Sequence, residues 1–188
     1  MLLSPRLDLF VPTARFPCFR QPVLLNAGDH LLAFAENRNV SSCAPSISSN
    51  EIGSLQLRRS ADNGATWTAM QQVWRGNIDF YTAVHDMRGT TILMLQEGAA
   101  TNVFNSTDFG ASWSAPTPLS VPLPPGVTSI KPAVGHGVQL QPDLLLTLVQ
   151  VQLPRLHAPI LIHEDLHLTL RGEVHRLAAL VEPQQLRL

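Results

Sequence analysis

The chain is poor in charge and in aromatic residues: 14% of its 188 positions are Asp, Glu, Lys or Arg, and 6% are Phe, Trp or Tyr. The charges nearly cancel, with 13 Lys plus Arg against 14 Asp plus Glu and a formal net charge of −1. No basic field is therefore present to hold a nucleic-acid backbone, and no acidic tail is seen. Long apolar runs are also lacking. Pro, His or Asp breaks each of them well short of the roughly 20 residues that a membrane span requires. Residues 1–16 hold no apolar leader core either. The expectation is a soluble protein with no nucleic acid partner and no membrane span. Cysteine is limited to Cys18 and Cys43, which allow one bridge but no multi-disulfide framework. No Cys/His cluster has metal-ligand spacing, so the reading assigns no metal and no cofactor. At 45% hydrophobic positions, the chain is too apolar for disorder and long enough for one ordinary domain.

Aromatic residues and glycine are unevenly spread. Every aromatic residue lies at or before Trp113, and every glycine but Gly172 lies before residue 138. The front part carries short apolar runs at 22–25, 31–35, 55–59, 81–85 and 91–95, separated by turn residues. Such spacing predicts an all-β fold, and links as short as Asn26-Ala27-Gly28-Asp29 and Met87-Arg88-Gly89 predict antiparallel hairpins. Pro116, Pro118, Pro122, Pro124, Pro125 and Pro132 cannot donate to a ladder and predict an extended surface loop. Beyond residue 142 the sequence turns Leu-rich. His163 and His167 there are spaced i, i+4 without the order of a helical zinc motif, and they read as solvated or partly packed. Val174, Leu177, Ala178 and Val181 carry a modest helical spacing.

The most informative feature is a repeat. Ser60-Ala61-Asp62-Asn63-Gly64-Ala65-Thr66-Trp67 and Ser106-Thr107-Asp108-Phe109-Gly110-Ala111-Ser112-Trp113 share the pattern S-x-D-x-G-x-[ST]-W, 46 residues apart. That period is about one four-stranded propeller blade. The Asp carboxylate accepts turn N–H groups, Gly takes the left-handed backbone, and Trp packs the hairpin base. These positions are therefore read as fold-building residues rather than catalysts.

The two repeats resemble the Asp boxes of sialidases. Phe19-Arg20-Gln21-Pro22 resembles the family's F/Y-R-I-P motif, with Gln21 in place of Ile. Leu31-Leu32-Ala33-Phe34-Ala35-Glu36-Asn37-Arg38, Leu57-Arg58-Arg59-Ser60 and Gly135-His136-Gly137-Val138-Gln139-Leu140 follow in the family's order. The resemblance covers about residues 15–140. It implies an all-β, six-bladed β-propeller of which this chain holds about three blades. The expected division is a leader at 1–14, a partial propeller at 15–142 and a divergent tail at 143–188. The implied activity is removal of terminal sialic acid from glycoproteins, gangliosides and oligosaccharides. An open half-propeller also leaves sheet edges that invite self-association.

By resemblance, Arg20 is the first of three arginines that bind the sialic acid carboxylate, a role suited to a planar guanidinium charged at every working pH. Glu36 and Arg38 sit where the family places polar residues near the sugar's substituents; the alternative is an exposed pair flanking a strand end. The family's acid/base Asp falls where this chain has Ser49 or Asn50. Glu51 is the nearest carboxylate, either a substitute acid/base or a solvated loop residue. The family's nucleophile is a late tyrosine, whereas the one tyrosine here is Tyr81, which reads as a packing residue. With the later arginines, the nucleophile and its glutamate unaccounted for, the chain is expected to be inactive alone. Its tail reads as an altered frame, exon or gene model. The alternative from another class is a non-catalytic Asp-box module that binds glycans or proteins.

Overall fold

A computed structural model describes residues 7–38, 43, 53–98, 100–119, 129–141, 144–152, 165–170 and 173–182. The fold is all-β. The first sheet is an antiparallel meander of β1 (Cys18–Ala27), β2 (His30–Arg38), β3 (Gly53–Ser60) and β4 (Gln71–Gly76), in that order. The second repeats the pattern with β5 (Ile78–His85), β6 (Thr91–Glu97), β7 (Ala100–Ser106) and β8 (Thr117–Pro118). Two successive four-stranded meanders are the unit of a propeller. A short strand, β10 (Gly135–His136), adds in parallel to the free edge of β5.

The apolar runs seen in the sequence form the middles of longer strands. Turn chemistry sets the links between them. β1 and β2 join through Gly28 and Asp29, where Gly28 adopts φ +67° and lets Ala27 face His30 directly. β5 and β6 join through a turn organised by Asp86, whose Oδ1 accepts the N–H groups of Arg88 (3.0 Å) and Thr90 (2.7 Å). Burial alternates along β1, with Val23, Leu25 and Ala27 inside and Leu24 and Asn26 outside. Residues 32–38 of β2 and 91–96 of β6 are buried on both faces, which places these strands in sheet interiors covered on each side. One core joins the two sheets: Leu32, Phe34, Leu55 and Leu57 from the first pack with Ile78, Tyr81, Leu93, Leu95 and Phe104 from the second. Phe34 stands at the junction, 6.5 Å from the Tyr81 ring and 6.1 Å from Trp113.

A third sheet is built differently. β11 (Val138–Gln141), β12 (Leu144–Gln152), β14 (Glu173–Glu182) and β13 (Asp165–Leu170) lie in that order, with β12 and β14 parallel. β9 (Ser129–Pro132) pairs with the far end of β12. Two sequence expectations are corrected here. The segment with helical spacing is strand β14, paired on both sides, by β12 and β13. Leu177 to Val181 is a continuous apolar run, and periodicity cannot distinguish such a run from a buried strand. The proline-rich segment is not loop throughout, because its ends pair as β8 and β9. Pro118 sits in the terminal strand of its sheet, opposite Asn102, and Pro132 closes β9, positions at which a missing N–H is tolerated.

Cys18 and Cys43 form a disulfide across 25 residues, with Cα atoms 5.5 Å apart. It ties the start of β1 to a residue just beyond β2, enclosing both strands, and so restricts the unfolded ensemble, by about 3.5 kcal/mol for a loop of this size.

Candidate functional site

The candidate site is assembled at one end of the first sheet, where β1 meets β5. Arg20 lies on β1, an edge strand of the first sheet, with its Cα opposite that of Glu36 on β2. The pairing resumes three residues later at Val23, so Gln21 and Pro22 between them form a bulge. Gln21 takes φ +51°, an uncommon state for a residue with a side chain, and neighbouring groups hold it there. The Tyr81 hydroxyl donates to the Gln21 carbonyl, and Gln21 Nε2 donates to the Asp79 carbonyl at 3.4 Å. Both partners are on β5, two residues apart. The bulge beside Arg20 is thus clamped by the second sheet.

Glu36 and Arg38 are a buried pair, not an exposed one. Glu36 has no exposed surface, and Arg38 retains 3%. Arg38 Nε donates to Glu36 Oε1 at 2.6 Å. The second carboxylate oxygen, Glu36 Oε2, is buried and without a hydrogen-bond partner. Burial pushes the Glu36 carboxyl above its ordinary pKa, against the opposing pull of Arg38 and Arg20, while Asp79 adds to the rise. Three charged residues, Arg38, Arg20 and Asp79, therefore act on the one Glu36 carboxyl. A neighbouring polar row extends into β3, where Asn37 Nδ2 and Gln56 Nε2 both donate to Ser54 Oγ, at 3.4 and 2.8 Å.

Tyr81 is fully buried within the shared core. Desolvation raises its phenol pKa strongly, and the Glu36 carboxylate raises it further. A phenolate is disfavoured at that position, so Tyr81 serves as a clamp and packing residue rather than an accessible nucleophile. Ser49, Asn50 and Glu51, the acid/base candidates, and His163 lie outside the described residues. His167 falls on β13. Among the described residues, no three His, Cys, Asp or Glu side chains group to hold a metal ion. Among them too, no helix is long and apolar enough to cross a membrane.

The repeat residues lie away from this cluster, at the β3–β4 and β7–β8 turns. In the first, Asp62 Oδ1 accepts from Ser60 Oγ (2.7 Å) and Thr66 N (2.8 Å), and Ser60 Oγ accepts from Gly64 N (2.8 Å). In the second, Asp108 Oδ1 accepts from Ser106 Oγ (2.8 Å) and Ser112 N (2.9 Å), and Ser106 Oγ accepts from Gly110 N (2.7 Å). The Thr66 and Ser112 hydroxyls also donate to Asp62 Oδ2 and Asp108 Oδ2, each at 2.5 Å. These bonds first, then the backbone N–H and serine hydroxyl bonds to the same carboxylates, hold both carboxyls down to about 2. Gly64 and Gly110 take φ +89° and +79°.

Sequence reading brought Arg20, Glu36 and Arg38 forward but missed Asp79 and the clamping role of Gln21. The available signal was the spacing of Asp79 and Tyr81, which places both on one face of a strand. Which strand they would face was not readable.

Comparison with known proteins gives two kinds of result. No protein-family model and no curated protein matches the chain. Solved structures do. The sialidase of Trypanosoma rangeli in complex with sialic acid is 17% identical, with a TM-score of 0.49, over 66% of this chain and 24% of that one. The same organism's sialidase in complex with 2,3-difluorosialic acid, a covalent intermediate, is 18% identical, with a TM-score of 0.48, over 64% of this chain and 24% of that one. The chain thus spans about a quarter of the length of these sialidases.

Proposed function

We propose that this chain is the first part of a sialidase-type β-propeller, and that its inner end recognises terminal sialic acid on glycoproteins, gangliosides or oligosaccharides. The observation that carries the reading is the placement of Arg20. The F-R-x-P arginine lies on an edge strand, against a buried Glu36–Arg38 pair, with Asp79 contributed by the next sheet. In this reading Arg20 pairs with the sugar carboxylate as a planar, permanently charged fork. Glu36 and Asp79 supply negative potential that orients the arginines, and the two Asp-box turns hold the blades. In the same reading the chain divides into a leader at 1–14, a partial propeller at 15–142 and a tail at 143–188.

Hydrolysis is proposed for the complete propeller and not for this chain alone. A retaining sialidase needs an exposed tyrosine, and Tyr81 is buried and bonded to the Gln21 carbonyl. That same observation favours a second reading, a glycan-binding module without turnover. Both are tested by titrating the chain with N-acetylneuraminic acid and incubating it with a fluorogenic sialoside. Binding abolished by Arg20→Ala, with no turnover, is the expected result. Turnover lost in Arg20→Ala would refute inactivity of the isolated chain. Binding indifferent to Arg20→Ala would refute the site.

A further inference from the structure

Ahead of β1, residues 7–17 do not run away from the sheet. Thr13 and Phe16 exchange backbone hydrogen bonds in both directions, Thr13 N to Phe16 O at 2.9 Å and Phe16 N to Thr13 O at 3.1 Å. Thr13 Oγ1 also accepts from Phe16 N at 3.1 Å. This turn folds the segment back along the strand it precedes. Phe10 and Phe16 then both meet Phe19, with ring centroids 5.3 and 6.1 Å away. Arg15 lies over the Phe16 ring, 5.3 Å from its centroid. The segment ahead of that turn becomes one wall of a cavity of about 560 Å³, whose other wall is built by β1 and β2. The volume suits a monosaccharide or disaccharide.

The charges in that cavity are its distinguishing feature. Arg20 lines it from β1, and Asp8 lines it from the folded-back segment; the named neighbours are otherwise apolar, including Phe10, Phe19, Val23 and Phe34. A carboxylate carried by the chain itself thus shares a cavity with the guanidinium assigned to a ligand's carboxylate.

We propose that residues 7–16 form an autoinhibitory strap, in which Asp8 competes with an incoming carboxylate for Arg20. The inference rests on the reading of Arg20 as a carboxylate-binding residue. Twelve positions separate Asp8 from Arg20, and a group tethered that closely acts at an effective concentration in the mM range. A ligand whose own affinity is of that order is opposed severalfold. Docking depends on aromatic contacts with Phe19, and the turn bonds at Thr13 and Phe16 are internal to the strap. Release therefore leaves the sheet ladders intact.

The test is titration of the full chain with N-acetylneuraminic acid, comparing wild type with Asp8→Asn, Phe10→Ala and Arg20→Ala. Asp8→Asn removes the competing charge at constant shape, and Phe10→Ala loosens the strap with the charge retained. Each is expected to tighten binding about fivefold, and Arg20→Ala is expected to abolish it. Wild-type affinity in Asp8→Asn, with binding still lost in Arg20→Ala, overturns the strap and leaves the carboxylate site standing. Binding that ignores Arg20→Ala, or is absent from wild type and Asp8→Asn alike, overturns the carboxylate site and the strap together.

Discussion

The two repeat turns share an octapeptide pattern and near-identical hydrogen bonds, yet they do different work. The turn at 60–67 closes on its own sheet: Gly64 is near Leu31 and Trp67, and Trp67 Nε1 donates to the Gly64 carbonyl at 3.0 Å. The turn at 106–113 closes against the preceding sheet. Phe109 stacks on His30 with centroids 4.2 Å apart, Gly110 abuts Leu57, and Trp113 meets Phe34 edge-on. Gln71 Nε2 completes the junction by donating to the Ala111 carbonyl at 3.0 Å. Trp113 Nε1 is left buried without a partner, so that indole is held by packing where Trp67 is held by a hydrogen bond. One local motif thus serves either as a self-contained turn or as the contact between sheets, depending on what lies beside it.

Trp113→Ala and Trp67→Ala would break that comparison most directly. Loss of about 3 kcal/mol is expected for the first, which opens a space beside Phe34, and about 1 kcal/mol for the second. Equal losses in chemical denaturation would show that the two turns are equivalent. Glycine substitutions come next. A Cβ at Gly110 would lie 2.8 Å from Leu57 Cδ2, whereas at Gly64 the nearest atom is Leu31 Cδ1 at 3.6 Å. Both positions bear the cost of positive φ, about 1 kcal/mol, and Gly110→Ala adds the clash for a total near 2 kcal/mol. A larger loss at Gly64 would reverse the assignment.

The smaller effects test where the turns are alike. Asp62→Ala and Asp108→Ala remove the same set of bonds, so their melting midpoints should fall by similar amounts. A clear difference would mean that the sheet junction and not the turn carries the motif. Acid sharpens the point. Both carboxyls are held below their ordinary value of 3.8, down to about 2. Their contribution is therefore complete above about pH 4 and is lost as the pH falls through about 2. Asp62→Asn and Asp108→Asn should each flatten that acid limb by a similar small amount, since solvent screens both groups. His85 acts in a higher range: burial lowers its pKa from 6.5, so stability it contributes above pH 6.5 declines on acidification, and a His85→Gln chain should lack that decline.

Much of the strand and turn layout was legible in advance because its causes are local. Apolar runs of four to six residues, Gly28 and Gly89 at the hairpins, and the repeated Ser, Asp, Gly and Trp act within a few positions of one another. The tail was misread because the run from Leu177 to Val181 carries no alternation, and its strand state depends on β12 and β13 lying on either side. Glu36 and Arg38 were legible as a pair, but their burial was not. Spacing of two along a strand reveals a shared face and is silent on what covers it.

The sequence by itself determined the all-β class, the hairpin links and the two turns, since each follows from residues that bond or pack with near neighbours. Only the tertiary structure decided that the second turn seats on the first sheet, that Asp79 and Tyr81 reach across to the bulge at Gln21, and that Asp8 and Arg20 line one cavity. Those contacts join residues far apart in the chain, and no local pattern encodes them because their energy arises only when separate sheets and the leading segment come together.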